Sequence, residues 1–266
     1  MKNKSIKIAL YINYFVFAIL LNSVGIVIKQ AIDNYNIRET DASILEAFKD
    51  LPIAFVSFFA ASFLPRIGYK KAMLFALSIV FFGCLYMYFG NTFNSSKILF
   101  LTIGAAFAFI KVSVFSMIGL LTETKEEHSS FMSYIEGFFM VGIALAYFIF
   151  PVFFDTNNPD AWLDVYLFLA GLIAVSFLML LFSKIDVKAE VSKNTVKKDF
   201  TDMLKLMALP LVIFFVISAF LFVMVEQGIM TWLPSFNKGV LSLNDSLSVQ
   251  MASILAISLA IGRVLA

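Results

Sequence analysis

The amino-acid sequence predicts an all-α polytopic membrane protein, with a six-helix transmembrane bundle followed by the start of a second bundle. Of its 266 residues, 61% are hydrophobic and only 14% are charged, and 32 are Phe, a composition foreign to soluble domains of this size. Long apolar runs alternate with short polar segments, and each complete run is close to or above the ~20 residues that a helix needs to cross a bilayer. Lys and Arg fall mostly on alternate sides of these runs.

Seven complete apolar runs and the beginning of an eighth define the predicted helices. In chain order they are 8–28, 45–64, 72–89, 98–121, 131–153, 166–182, 209–232 and 247–266. The first run is too long for the apolar core of a signal peptide, and no small-residue cleavage pattern follows it. We therefore expect it to remain as the first transmembrane helix.

The distribution of basic residues predicts a cytoplasmic amino terminus. With that orientation the cytoplasmic segments hold 14 Lys and Arg residues and the external segments hold 5, as the positive-inside rule requires. We expect a multi-pass protein of a bacterial inner (plasma) membrane. Because the basic residues mark topology, no nucleic-acid partner is predicted.

A Lys-rich segment separates the two predicted bundles. The expected units are the six-helix bundle at 1–182, a cytoplasmic linker at 183–207, and the start of the C-terminal bundle at 208–266. Apolar residues recur at helical spacing near the end of this linker, at Val196, Phe200, Met203, Leu204 and Met207. This pattern predicts a short amphipathic helix on the membrane surface, and a solvated tether is the alternative.

Three local motifs accompany this layout. Between the second and third runs the chain reads Ala61-Ser-Phe-Leu-Pro-Arg-Ile-Gly-Tyr-Lys-Lys71. The seventh run contains Phe222-Val-Met-Val-Glu-Gln-Gly-Ile-Met-Thr-Trp-Leu-Pro234, and the eighth contains Ala260-Ile-Gly-Arg-Val264. The layout and the motifs resemble the major facilitator superfamily, and are most similar to its fucose and hexose–proton symporter branch.

The first motif is similar to the short cytoplasmic signature of that superfamily, in which a small residue precedes an Asp-Arg-x-Gly-Arg-Arg turn. Arg66, Gly68, Lys70 and Lys71 match the signature, and the resemblance implies that they form a gating motif. Gly68 is expected at a tight turn that requires its backbone freedom. The resemblance also implies about twelve helices, so we expect the sequence to be a fragment that stops inside the eighth.

Polar and ionisable side chains within the apolar runs are the candidate substrate or proton sites. A charge at the centre of a membrane helix costs ~2.5–3.5 kcal/mol to insert. Such residues are therefore rare, and each one is a candidate functional residue. The candidates are Asn22, Lys111, Glu136, Glu226, Gln227 and Trp232. Glu226 is the preferred proton residue, since a carboxylic acid in a low-dielectric cavity can load and release a proton.

Two of these candidates allow alternative interpretations. Lys111 and Glu136 lie on consecutive predicted helices at depths that differ by roughly 7 Å, so they can form a structural salt bridge. Alternatively, Lys111 faces the substrate, where it donates hydrogen bonds to sugar hydroxyls or neutralises an anionic substrate. Trp232 either stacks on a sugar ring or anchors its helix at the membrane interface.

The function predicted from these residues is secondary active transport of a small polar solute, a sugar, with protons. An organic-anion or drug transporter of the same superfamily is the alternative. No nucleotide-binding loop, HExxH or GxSxG sequence occurs, and the chain has one His and one Cys, so no enzyme activity, cofactor or metal site is predicted. The expected partners are the small-molecule substrate, protons and the lipid bilayer, and the protein is expected to be monomeric.

Overall fold

The computed structural model describes residues 4–155, 157–184, 201 and 205–265, and their secondary structure is helical without any strand. The α-helices are α1 Lys4–Asn22, α2 Val24–Tyr35, α3 Glu39–Ala42, α4 Ile44–Ile67, α5 Tyr69–Gly90, α6 Phe93–Leu121, α7 Lys125–Ile149, α8 Asp164–Phe182, α9 Pro210–Gly239 and α10 Asp245–Leu265. Short 3-10 turns follow α7 at Phe150–Phe153 and precede α8 at Ala161–Leu163.

Apart from Ser23 and Leu209, each predicted apolar run lies within the helices of the structure, as far as the described residues reach. The first run is divided between α1 and α2, which are separated at Ser23. Helix α7 begins at Lys125 and α9 continues to Gly239, each well beyond its predicted run. The helices are longer because hydropathy marks only their apolar part, whereas helical hydrogen bonding continues through polar residues.

Six helical segments among the described residues are long and apolar enough to cross a membrane, judged by length and composition. They are Lys4–Tyr35, Tyr69–Gly90, Phe93–Leu121, Lys125–Phe153, Ala161–Phe182 and Pro210–Gly239. The apolar part of α10, Asp245–Leu259, is shorter. The predicted fold class, an all-α polytopic membrane protein, is confirmed.

The helices run back and forth between two ends of the bundle. The Gly68 end holds the start of α1, the turn at Gly68 and the segment between α6 and α7, where Lys7 Nζ lies 2.8 Å from Glu127 Oε1. The Lys29 end holds the opposite connections. There the Tyr35 hydroxyl donates to Asn91 Oδ1 at 3.1 Å, and Asn91 Nδ2 donates to Asp160 Oδ1 at 3.0 Å.

Helix α1 occupies the centre of the six-helix bundle. It packs against α6, α7 and α8, and most of its apolar side chains are buried, including Leu10, Phe17 and Leu20. Large apolar side chains on the other helices are exposed, for example Phe55 and Phe82. Exposed phenylalanines of this kind suit contact with lipid.

Helices α9 and α10 meet the six-helix bundle through α2 and α7, and the contacts of α9 fall at the Lys29 end. Toward the Gly68 end, residues 211–225 of α9 are mostly exposed. The predicted linker at 183–207, with its amphipathic helix, lies outside the described residues except for positions 183, 184, 201 and 205–207.

Candidate functional site

Lys111 and Glu136 lie at similar depths in the bundle. Lys111 is ten residues before the end of α6 at Leu121, and Glu136 is eleven residues after the start of α7 at Lys125. At ~1.5 Å per residue both lie ~15 Å along their helices from the Gly68 end. The expected depth difference of roughly 7 Å was wrong, because α7 begins six residues earlier than the apolar run.

Tyr14 on α1 connects the helices that carry these two residues. Its hydroxyl donates a hydrogen bond to Glu136 Oε1 at 3.3 Å. Its ring centroid lies 5.9 Å from those of Phe107 and Phe115 on α6, and 4.8 Å from that of Phe139 on α7. Tyr14 is only 2% exposed, so three helices meet around one buried phenol.

Lys111 lies between two of these rings. Its Nζ is 5.9 Å from the centroids of both Phe107 and Phe115, which precede and follow it by one helical turn. Among the described residues no carboxylate pairs with Lys111, so the salt bridge to Glu136 is not formed in this conformation. Cation–π contacts contribute ~0.5–1 kcal/mol at exposed sites, less than the cost of placing a charge in hydrocarbon. Lys111 is exposed, so the described helices do not enclose its charge.

The polar candidates of the first run lie at a break between α1 and α2. Asn22 Nδ2 donates to the Ala18 carbonyl at 2.9 Å, and the Ser23 hydroxyl donates to the Leu20 carbonyl at 2.7 Å. Side chains that bond to the preceding turn compete with the helical ladder, which favours a break here. Asn22 is half-buried and thus partly accessible.

Just beyond this break, α9 approaches the bundle at Met230 and Thr231. A Cβ atom at Gly25 would overlap the Thr231 backbone, with Thr231 Cα 2.9 Å away, so only glycine allows this approach. The Thr231 hydroxyl donates to Glu46 on α4, and the Tyr147 hydroxyl on α7 lies 3.5 Å from the Met230 carbonyl. Residues 230–231 therefore contact three helices of the first bundle.

Glu226, Gln227 and Trp232 flank this contact on α9. All three are half-buried, and Trp232 packs against the main apolar core. Within the described part of the chain, no hydrogen bond or ion pair joins Gln227 to Lys111 or Glu136. The structure thus brings Lys111 and Glu136 together around Tyr14, and it places Glu226, Gln227 and Trp232 on a helix of the second bundle.

Lys29 and Lys238, which the count of basic residues placed on the external side, form a ring of ion pairs with Asp33 and Asp245 at the Lys29 end. Lys29 Nζ on α2 lies 3.1 Å from Asp33 Oδ2 and 2.9 Å from Asp245 Oδ1. Lys238 Nζ on α9 lies 2.7 Å and 2.9 Å from the same two oxygens. We call these residues the ionic ring. It joins α2 to α9 and to the first residue of α10.

A second charged group lies on α4 near this end, around the buried Lys49. Lys49, whose side chain is 4% exposed, contacts Glu46 Oε2 at 3.1 Å and Asp50 Oδ1 at 3.5 Å. These residues lie beside the contact between Glu46 and Thr231. Sequence reasoning missed this group, although three charges in five residues at the start of a predicted span were a visible signal.

The motif between α4 and α5 forms a one-residue turn. Gly68 has a φ of +97°, and its N–H donates to the Leu64 carbonyl at 2.9 Å, so the predicted tight turn is confirmed. Lys70 Nζ donates to the carbonyls of Leu181 and Ser183 at 2.9 Å and 2.7 Å. Arg66 and Lys71 are exposed. The motif therefore ties this turn to the end of α8.

No group of three or more His, Cys, Asp and Glu side chains within the described residues is arranged to hold a metal ion. The polar groups at mid-depth are the Glu136 carboxylate, the Tyr14 phenol and the Lys111 ammonium group, with aromatic rings around them. Such a cluster can bind a small polar molecule and exchange a proton.

These features define a multi-pass helical membrane protein with a polar site inside its bundle. The Major Facilitator Superfamily model matches residues 10–266, and the chain belongs to this superfamily. None of the curated protein sequences matches significantly. Among solved structures, the chain is similar to one described as the crystal structure of a D-xylose-proton symporter, with a TM-score of 0.67 at 13% sequence identity. The match covers 97% of this chain but 66% of that symporter, so the chain spans less than two thirds of its length.

Proposed function

We propose that the protein is a secondary active transporter that moves a small polar solute, a sugar, across the membrane together with protons. The observation that supports this proposal is the cluster of Tyr14, Lys111 and Glu136 at mid-depth. Aromatic rings suit the apolar face of a small solute, and a few hydrogen-bonding groups orient it. The fold similarity to a protein described as a sugar–proton symporter agrees with this class.

The arrangement of the two bundles supports transport by alternating access. In transporters built from repeated bundles, substrate sites lie near the membrane midplane and the bundles rock about them. Here α9 meets the first bundle at the Lys29 end, through the ionic ring and through Thr231. With a cytoplasmic amino terminus, this conformation is closed toward the outside.

Proton coupling is assigned in this proposal to Glu226, with Glu136 as the alternative. Glu226 lies on α9 five residues before Thr231, at the level where the two bundles approach each other. Its protonation when the site faces outside would favour solute binding. Release of the proton inside would then favour return of the empty transporter.

The test is uptake of radiolabelled sugars by vesicles that contain the full-length protein, with and without an imposed pH gradient. Glu226→Gln mimics the protonated state, so it should keep solute exchange across the membrane but lose accumulation driven by the gradient. Glu123→Gln, in the exposed segment between α6 and α7, is the control and should accumulate solute normally. Wild-type accumulation in Glu226→Gln would refute its coupling role and move that role to Glu136.

A further inference from the structure

We infer that the transported solute carries a carboxylate, which Lys111 binds against the aromatic surface of Phe107 and Phe115. This inference rests on the proposed transport function and specifies the chemical class of its solute. The solute class is a small hydroxylated carboxylic acid, such as a sugar acid.

The position of Lys111 directs its charge toward the interior of the bundle. Phe107 and Phe115 lie one turn before and one turn after it, and both rings contact Tyr14 on the central helix α1. Lys111 therefore shares the face of α6 that is turned toward α1. Lys111 is nevertheless exposed, so its charge is not enclosed by the described helices.

Two lysines that are buried among the described residues each pair with two carboxylates. Lys29 contacts Asp33 and Asp245, and Lys49 contacts Glu46 and Asp50. Lys111, by contrast, has only aromatic rings near its Nζ among the described residues. A lysine at mid-depth without a carboxylate from the protein is suited to receive one from a ligand.

The groups around Lys111 suit the remainder of such a ligand. Glu136 and the Tyr14 hydroxyl can accept and donate hydrogen bonds to solute hydroxyls, and the rings offer an apolar surface. A neutral sugar would fill the same volume but leave the ammonium group without a counter-charge. The site should therefore discriminate between an acid and the neutral sugar of the same shape.

The experiment compares acids with neutral partners of matched shape, using the purified full-length protein. The pairs are D-glucuronate with D-glucose, D-galacturonate with D-galactose, and D-gluconate with D-glucitol. Binding is measured by calorimetry and by ligand-induced shifts of the melting temperature. At least one acid should bind, and its neutral partner should bind about tenfold or more weakly.

Variants of Lys111 test whether the preference arises at this residue. Lys111→Gln should weaken binding of the acid by about 10- to 100-fold, the usual range for loss of a charged hydrogen bond. Lys111→Arg retains the positive charge and should therefore keep the preference for the acid. This variant still tests the role of the charge if the glutamine variant is unstable. The matched control is Lys97→Gln, because Lys97 is on the same helix with its Nζ 4.4 Å from the Phe93 ring, but at the Lys29 end. This control should bind the acid as the wild type does.

Three results would overturn the inference: equal binding of acid and neutral partner, acid binding that Lys111→Gln leaves unchanged, or no binding by any acid of the panel. Proton-driven accumulation of a neutral sugar by the wild type in preference to its acid would also overturn it, while leaving the proposed function intact. Conversely, Lys111-dependent acid binding without proton-driven accumulation would support the inference and refute proton-coupled transport.

Discussion

At Gly68 the chain reverses between α4 and α5 with a single residue outside the helices. A Cβ atom there would meet nothing within 4 Å, so the need for glycine arises from its φ of +97° and not from crowding. A non-glycine residue held in a sparsely populated backbone region costs of order 1–3 kcal/mol, and a β-branched one is the least tolerant.

Gly68→Val should therefore lower the melting temperature and slow transport, while the protein still inserts into the membrane. Gly119→Ala on α6 is the matched control, because it also has open space around it but a helical backbone. Replacement of a helical glycine by alanine is neutral or slightly stabilising. Equal melting temperatures and uptake rates for both variants would mean that the turn does not depend on glycine.

The residues of the mid-depth cluster were predictable from the sequence to different degrees. Lys111 and Glu136 are visible because an ionisable side chain within an apolar run is costly and therefore rare. Phe107 and Phe115 carry no such signal, since they are two of 32 phenylalanines and lipid-facing positions use the same residue type. Only the three-dimensional arrangement shows which rings face Tyr14.

At the scale of the helices, Lys70 joins two elements that are distant in sequence. The last carbonyls of an α-helix have no partners within the helix, and cations near this end are favourable. Lys70 Nζ donates to the Leu181 and Ser183 carbonyls at the end of α8, 111 and 113 residues away. Lys70→Met should thus destabilise the protein by about 1 kcal/mol.

Lys71→Met is the control for this prediction, since Lys71 has the same charge on the same turn but an exposed side chain. Thermal unfolding of the two variants in detergent gives the comparison. If both substitutions shift the melting temperature equally, the effect is one of net charge at this end and not of the contact with α8.

Hydropathy predicted where the helices lie but not where they begin or break. The start of α7 had a signal in the sequence, because Thr124 and Glu127 have the spacing of a helix cap, and the Thr124 hydroxyl accepts from the Glu127 N–H at 3.1 Å. Use of this signal would have placed Glu136 level with Lys111. The separation of α1 from α2 depends on Asn22 and Ser23 bonding to the preceding turn, and the same residue types are also compatible with an unbroken helix.

At the scale of the whole molecule, the orientation in the membrane follows from the asymmetry of basic residues and remains a prediction. Asn158→Cys, in the exposed segment before α8, should react with an impermeant thiol reagent added outside intact cells. Glu123→Cys, at the Gly68 end, should react only after the membrane is opened. The native Cys84 is fully buried, so the wild-type protein serves as the unlabelled background. The reverse pattern would contradict the cytoplasmic amino terminus.

The ionic ring and the contacts of Thr231 were beyond sequence reasoning because they join residues about 200 positions apart. Lys29 and Asp245 are separated by 216 residues, and Glu46 and Thr231 by 185. No local pattern specifies such pairs, and a lysine near the end of an apolar run is equally compatible with a solvated surface. Their position between α2, α9 and α10 indicates that they hold the bundles together at the Lys29 end.

Asp245→Asn should weaken the contact between the two bundles at the Lys29 end. Asp245 contacts both lysines of the ionic ring, and the Lys29 side chain is only 2% exposed. If the substitution removes ~1.4 kcal/mol from the free energy that favours the closed conformation, the fraction of molecules open at this end rises about tenfold. Met230→Cys, at a buried position on α9, reports the opening through its rate of reaction with the impermeant thiol reagent. Asp41→Asn is the control, since Asp41 pairs with Arg38 at the same end of the bundle but within one exposed segment. Labelling that is no faster with Asp245→Asn than with Asp41→Asn would show that the ionic ring does not keep the Lys29 end closed.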